Sequence, residues 1–234
     1  MVGTQSYPRI LAAPARSFFL FGPRGIGKST WARQIFPAAH RFDLLDELLY
    51  QDLLRTPNLF RDELRSLPDK SWVVVDEIQR IPALLNEVHR AIEEQRQRFV
   101  LLGSSARKLK TAGTNLLAGR ASRKSMFPFV PEELGQDFRL EEVLRFGSIP
   151  LIWQTADKKD ALTSYVSLYL KEEIRAEALV RNLPAFVRFL PIAALMHGQV
   201  LSIANVARDC GAARRHVARR DLAARRRALR TVAA

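Results

Sequence analysis

Gly22, Gly27, Lys28 and Ser29 stand at the spacing G-x-x-x-x-G-K-[ST], inside the run FFLFGPRGIGKST of residues 18–30. Residues of these types at this spacing bind phosphate. Gly22, Gly25 and Gly27 lack a Cβ, so the chain can take positive φ and bring its backbone close to an anion. Successive N–H groups then form a concave nest that favours negative charge, and a helix starting near Lys28 adds the positive end of its dipole. In that arrangement Lys28 reaches the β- and γ-phosphates, Ser29 ligates magnesium and Thr30 contacts the α-phosphate. The whole segment Gly22, Pro23, Arg24, Gly25, Ile26, Gly27, Lys28, Ser29 and Thr30 is therefore expected to hold ATP with Mg2+.

A second group follows at Asp76 and Glu77, after the apolar run Trp72-Val73-Val74-Val75. An isolated Asp-Glu pair is most simply a solvated strand end. Downstream of a phosphate loop, the two acids take distinct roles: Asp76 holds magnesium, directly or through water, and Glu77 orients the water that attacks the γ-phosphate. Ser104 and Ser105 close the next apolar run. Ser104, the nearer to the strand, can hold the attacking water or sense the γ-phosphate, or the two can be turn serines. Arg120 is either an arginine finger, which neutralises charge on the transferring phosphoryl group, or one more surface arginine.

The elements that must position these residues are legible in outline. A strand over 17–21 precedes the loop, and a helix over 28–36 is stopped by Pro37. A second strand is expected over 41–44, and helix and loop over 46–67, broken at Pro57. Trp72–Val75 reads as a buried strand, 81–97 as a helix with Pro82 in its first turn, 99–102 as a strand and 125–130 as one more. This alternation implies an α/β fold: a parallel sheet with helices on both faces, its ligands at the carboxyl ends of the strands. From about residue 156 the pattern is helical only. Residues 201–220 carry a weak helix-turn-helix pattern with Gly211 in the turn.

The chain has 234 residues, 47% apolar and 26% charged, an ordinary globular composition. No apolar stretch approaches the roughly 18 residues of a membrane span. The N-terminus lacks a secretory pattern, and the single Cys210 fits a reducing compartment, so a cytoplasmic location is expected. His40, His89, His197 and His216 show no zinc-ligand spacing. Net charge is +13, of which residues 211–234 supply +7 through eight arginines against Asp221. A basic tail of this kind can bind phosphate backbones nonspecifically.

Taken together, FGPRGIGKS (21–29), VVDEIQRIP (74–82), LGSSARKL (102–109), LLAGRA (116–121) and FPFVPEEL (127–134) resemble the AAA-type ATPases of the P-loop superfamily. The chain is similar to a large family of uncharacterised prokaryotic members, in which an AAA-like core precedes a winged helix and a C-terminal domain of unknown function. Tyr169–Ile174 and the Phe189-Leu190 region share that likeness, which runs to about residue 210. The resemblance implies a P-loop NTPase core over 1–155, and a helical lid with a partial winged helix over 156–210. It implies the sensor position for Ser104 and, for Arg120, a finger supplied across a subunit boundary in a homo-oligomer. After residue 210 the text departs from the family and becomes rich in Ala and Arg. Either a frameshift or truncation, or a genuine basic helix that binds nucleic acid, accounts for residues 211–234.

The function expected is ATP binding and hydrolysis that drives or gates a conformational change in a region contacting protein or DNA, away from any membrane. A nucleotide-gated regulatory or DNA-binding module with little turnover is the alternative. A kinase-like phosphotransferase is a third reading, disfavoured by Glu77.

Overall fold

A computed structural model describes residues 6–104, 109, 117 and 119–170, with 188–189, 191–192, 195, 204–205 and 208. The chain divides into two compact units, Met1–Tyr169 and Leu170–Ala234. In the second, every described position is helical, and Arg208 donates to the Asn205 side chain at 3.4 Å. The expected helix-turn-helix over 201–220 lies almost wholly, and the basic tail entirely, outside the described residues. So does Ser105.

The first unit is built on a five-stranded sheet in the order β2-β3-β4-β1-β5. Its strands are β1 (Phe18–Phe21), β2 (His40–Asp43), β3 (Trp72–Asp76), β4 (Arg98–Gly103) and β5 (Ser122–Ser125). Every pairing is parallel. Helices cover both faces, as the sequence predicts. Alternation along the inner strands decides which residues face which layer. Phe19, Phe21, Val73, Val75, Phe99 and Leu101 pack with residues of α2 (Glu47–Arg55), α3 (Asn58–Ser66) and α4 (Leu84–Gln95). Phe18, Leu20, Val74, Val100 and Leu102 point the other way, onto Trp31 and Ala32 of α1 (Lys28–Ile35) and onto Phe36. These strands are apolar on both faces because both are covered.

Two elements differ from the sequence expectation by more than one residue at an end. The fifth strand is Ser122–Ser125, not 125–130. Its residues Ser-Arg-Lys-Ser carry no apolar signal. Backbone pairing to β1 makes the strand, and its charged side chains suit an exposed edge. The apolar residues that follow leave the sheet. Met126 closes the pairing by donating to Phe21 O at 2.8 Å, and Pro128 has no N–H to extend it. Phe129 instead joins Leu134 and Trp153 in a separate small core with Tyr7, Phe138 and Val143. The helix expected over 81–97 spans Leu84–Gln95, preceded by a 3-10 turn at Ile78–Arg80. Short helices α5 (Pro131–Leu134), α6 (Leu140–Phe146), α7 (Pro150–Trp153) and α8 (Lys158–Ser164) follow β5, and a π-helical segment spans Tyr165–Leu170. Among the described residues, no helix is long and apolar enough to cross a membrane.

Candidate functional site

The loop after β1 turns into α1 through two glycines in the left-handed region, Gly25 at φ +77° and Gly27 at φ +85°. Gly22 is required for a different reason. A Cβ there would collide with the Ile26 side chain and with Met126 O. A Cβ on Gly25 would come within 2.9 Å of Leu151, whereas one on Gly27 would meet nothing within 4 Å.

Six successive carbonyls, Gly22 to Gly27, each accept a hydrogen bond. Lys28 Nζ donates to Gly22 O at 2.8 Å and Pro23 O at 3.0 Å. Tyr165 donates its hydroxyl to Arg24 O at 3.2 Å, and the Leu151 N–H donates to Gly25 O at 3.1 Å. Arg9 Nη1 donates to Ile26 O at 2.7 Å, and Trp31 N–H to Gly27 O at 2.9 Å, the first bond of α1. The loop's shape is thus imposed from four directions and not by its glycines alone. Backbone acceptors need partners, and here Tyr165 and Leu151 supply two of them from far along the chain.

Arg9 is itself held in place. Its Nε pairs with Glu133 at 2.9 Å, both side chains almost fully buried. Glu133 also accepts from the N–H groups of Ile10 and Val130. The buried carboxylate is therefore satisfied from three sides, as burial of a charge demands. The motif FPFVPEEL serves here as the anchor of the phosphate loop.

The acidic group sits at the carboxyl ends of β2 and β3. Asp76 is the last residue of β3 and is in register with Asp43, the last of β2. The Glu77 N–H donates to the Asp76 carboxylate at 3.0 Å, and Ser29 lines the same cleft as Asp76. Burial pushes the Asp76 carboxyl above the ordinary aspartate range. The Ser29 side chain opposes that shift, the Asp43 charge reinforces it and the Lys28 ammonium opposes it. Ser29, Arg33, Arg41, Asp43 and Asp76 line one small cleft. Arg41 donates to Ala32 O and Phe36 O at the end of α1, and burial, then Arg33, lower its pKa.

Glu77 leaves the strand in the left-handed region at φ 55°, ψ 41°. For a residue with a Cβ this conformation is uncommon and costs about 1 kcal/mol or more. Its carboxylate accepts from Gln79 Nε2, which also lies 3.5 Å from Ser104 Oγ. Loop, Asp76, Glu77 and Ser104 thus gather at one end of the sheet. Arg120 does not join them. It precedes β5, beside the start of β1, and pairs with Glu93 of α4 on the surface. Strand geometry places it on the order of 15–20 Å from the loop.

Sequence reasoning missed Asp43, Gln79 and the three outer loop supports, Arg9, Leu151 and Tyr165. Asp43 carried a usable signal, an acid at the carboxyl end of an expected parallel strand. The supports carried none.

Fold and site together define a P-loop ATPase-like α/β protein. An AAA domain family model matches residues 15–135, just over half of the sequence, and the chain belongs to that family. A domain of unknown function (DUF8612) matches residues 137–222, a span that includes the first part of the Ala/Arg-rich tail. No curated protein matches the chain. Solved structures similar to it include a replication initiator DnaA bound to AMPPCP and single-stranded DNA (12% identity, TM-score 0.40, 93% of this chain and 85% of that one). Another is the Aeropyrum pernix ORC1 protein in complex with DNA (12%, 0.38, 88% and 76%). A third is a DNA replication initiation factor (14%, 0.35, 83% and 76%).

Proposed function

We propose that the chain binds ATP with Mg2+ at Gly22–Thr30 and hydrolyses it. The observation that carries this reading is the small cleft that Ser29, Asp43 and Asp76 line at the carboxyl ends of β2 and β3, with Asp76 and the loop's Lys28 both buried. Two facing carboxylates and a hydroxyl are hard oxygen donors, the set that suits a magnesium ion. A bound Mg2+ would neutralise charge on the phosphates. Ser29 and Asp76 would hold it, with Asp43 next to them.

Lys28 exchanges its bonds to Gly22 O and Pro23 O for the β- and γ-phosphate oxygens. Backbone N–H groups of the loop and the start of α1 receive the remaining charge. Glu77 orients the attacking water and accepts its proton. Ser104 would contact the γ-phosphate or that water. Arg120 is remote from its own loop, so any catalytic role requires delivery to a neighbouring subunit in a homo-oligomer. The helical C-terminal part is the region whose partner, protein or DNA, the nucleotide state would gate. The +7 charge of residues 211–234 supports a polyanion as that partner.

The test is ATP binding and turnover by wild type, Lys28→Ala and Glu77→Gln, with and without DNA. Lys28→Ala should lose binding, and Glu77→Gln should retain ATP without turnover. Equal turnover in wild type and Glu77→Gln removes the assignment of Glu77. Tight binding with no turnover under any condition supports the regulatory module instead.

A further inference from the structure

Glu77, Gln79, Gly103 and Ser104 form an arrangement that extends the hydrolytic reading and rests on it. Because Glu77 is left-handed, the chain doubles back into the 3-10 turn Ile78–Arg80. That reversal returns the Gln79 side chain to the carboxylate two residues before it. A carboxylate only accepts, so the amide nitrogen must face Glu77, which fixes the orientation of the amide. The same nitrogen lies 3.5 Å from Ser104 Oγ, on the neighbouring strand's exit. One side chain therefore touches both groups expected to meet the γ-phosphate and its water.

The other half of the amide is as informative. Gln79 Oε1 is buried and has no hydrogen-bond partner among the described residues. It occupies the space beside Gly103, where a Cβ would come within 2.5 Å of it. Gly103 has no positive φ to explain its identity. The missing side chain instead makes room for the Gln79 amide. A packing role would be served better by an apolar residue that leaves no orphaned acceptor.

We propose that Gln79 is a positioning residue for hydrolysis: its amide ties the Glu77 carboxylate to the Ser104 hydroxyl, so that γ-phosphate contact at Ser104 sets the aim of Glu77. An amide cannot take up the proton of the water, so Gln79 acts through Glu77. Nucleotide affinity, which resides in the loop, does not depend on it.

The experiment compares kcat and ATP Kd for wild type, Gln79→Ala, Gln79→Glu and Gly103→Ala, each also combined with Glu77→Gln. Gly103→Ala displaces the amide from behind and leaves the Gln79 side chain intact. All three single variants should lose about tenfold or more in kcat and hold Kd within about twofold, the pattern of a lost transition-state interaction. In the Glu77→Gln background, which has no turnover to lose, the same changes should still hold ATP Kd within about twofold. Wild-type kcat in Gln79→Ala, in a protein that does hydrolyse ATP, overturns the proposal. So does a loss confined to thermal stability and Kd. Wild type that binds ATP without turning it over removes the hydrolytic reading itself, and this one with it.

Discussion

The two ends of the sheet treat charge in opposite ways. At the carboxyl end, Lys28 and Asp76 are buried, only 6% and 8% exposed. At the amino end, Arg120 and Glu93 meet in a surface pair, each about a third or more exposed. A surface pair gains little, because water solvates each charge as well as its partner does. A buried charge is costly unless surrounding groups replace that water, and the carboxyl end assembles them: loop carbonyls for Lys28, the Glu77 N–H for Asp76. Burial with prepared partners is what distinguishes the carboxyl end from the amino end.

The sharpest way to break this comparison is at the support behind the loop. Arg9→Ala leaves Glu133 buried without its partner and should cost about 3–5 kcal/mol in chemical denaturation. An unchanged unfolding midpoint would show that the Arg9–Glu133 pair contributes nothing to stability. Next comes Asp76→Asn, which removes the buried charge and keeps its shape. Turnover should fall about a hundredfold or more if the residue holds the metal. Thermal stability should hold or rise, since the cost of burying the charge is relieved, and with it the Asp43 repulsion. Activity close to wild type would reject a metal role for Asp76.

Tyr165→Phe deletes a single hydroxyl bonded to Arg24 O. A loss of about 1 kcal/mol, or roughly fivefold in ATP affinity, is expected by calorimetry. Arg120→Ala should leave the thermal midpoint and ATP affinity almost unchanged. If Arg120 acts across a subunit boundary, mixing it with Lys28→Ala protein should restore turnover; independent inactive behaviour of the two would leave Arg120 a surface residue.

The smallest effect concerns Glu87, whose hydrogen bond to Arg61, with the charges of Arg61, Arg90 and Arg65, holds its carboxyl below the ordinary glutamate range. A folded pKa below the unfolded one adds stability above the unfolded pKa, and that stability is lost as pH falls through the folded value. Glu87→Gln should therefore lower the melting temperature modestly at pH 7 and not at all near pH 2. The same decrement at both pH values would rule out the ionic contribution.

The contrast also explains what could be read in advance. Gly22–Thr30 is local chemistry: a short run of glycines before Lys-Ser needs no distant information to be recognised. Val73–Val75 and Phe99–Leu102 were legible as strands because strands buried on both faces carry continuous apolar runs. Ser122–Ser125 was not, because an edge strand can be made of any residues whose backbone finds a partner, and β1 supplied it.

Composition and short-range spacing alone determined that a glycine-rich loop lies between a strand and a helix, and that Asp76 and Glu77 follow a buried apolar run. Tertiary structure alone decided that Asp43 stands beside Asp76, that Gln79 joins Glu77 to Ser104, and that Arg9, Leu151 and Tyr165 hold the loop carbonyls. It also decided that Arg120 lies at the far end of the sheet from its own loop. The division has a physical cause. A glycine turn is dictated by its own dihedral freedom, whereas a hydrogen bond between residues more than a hundred positions apart exists only once packing has brought them together.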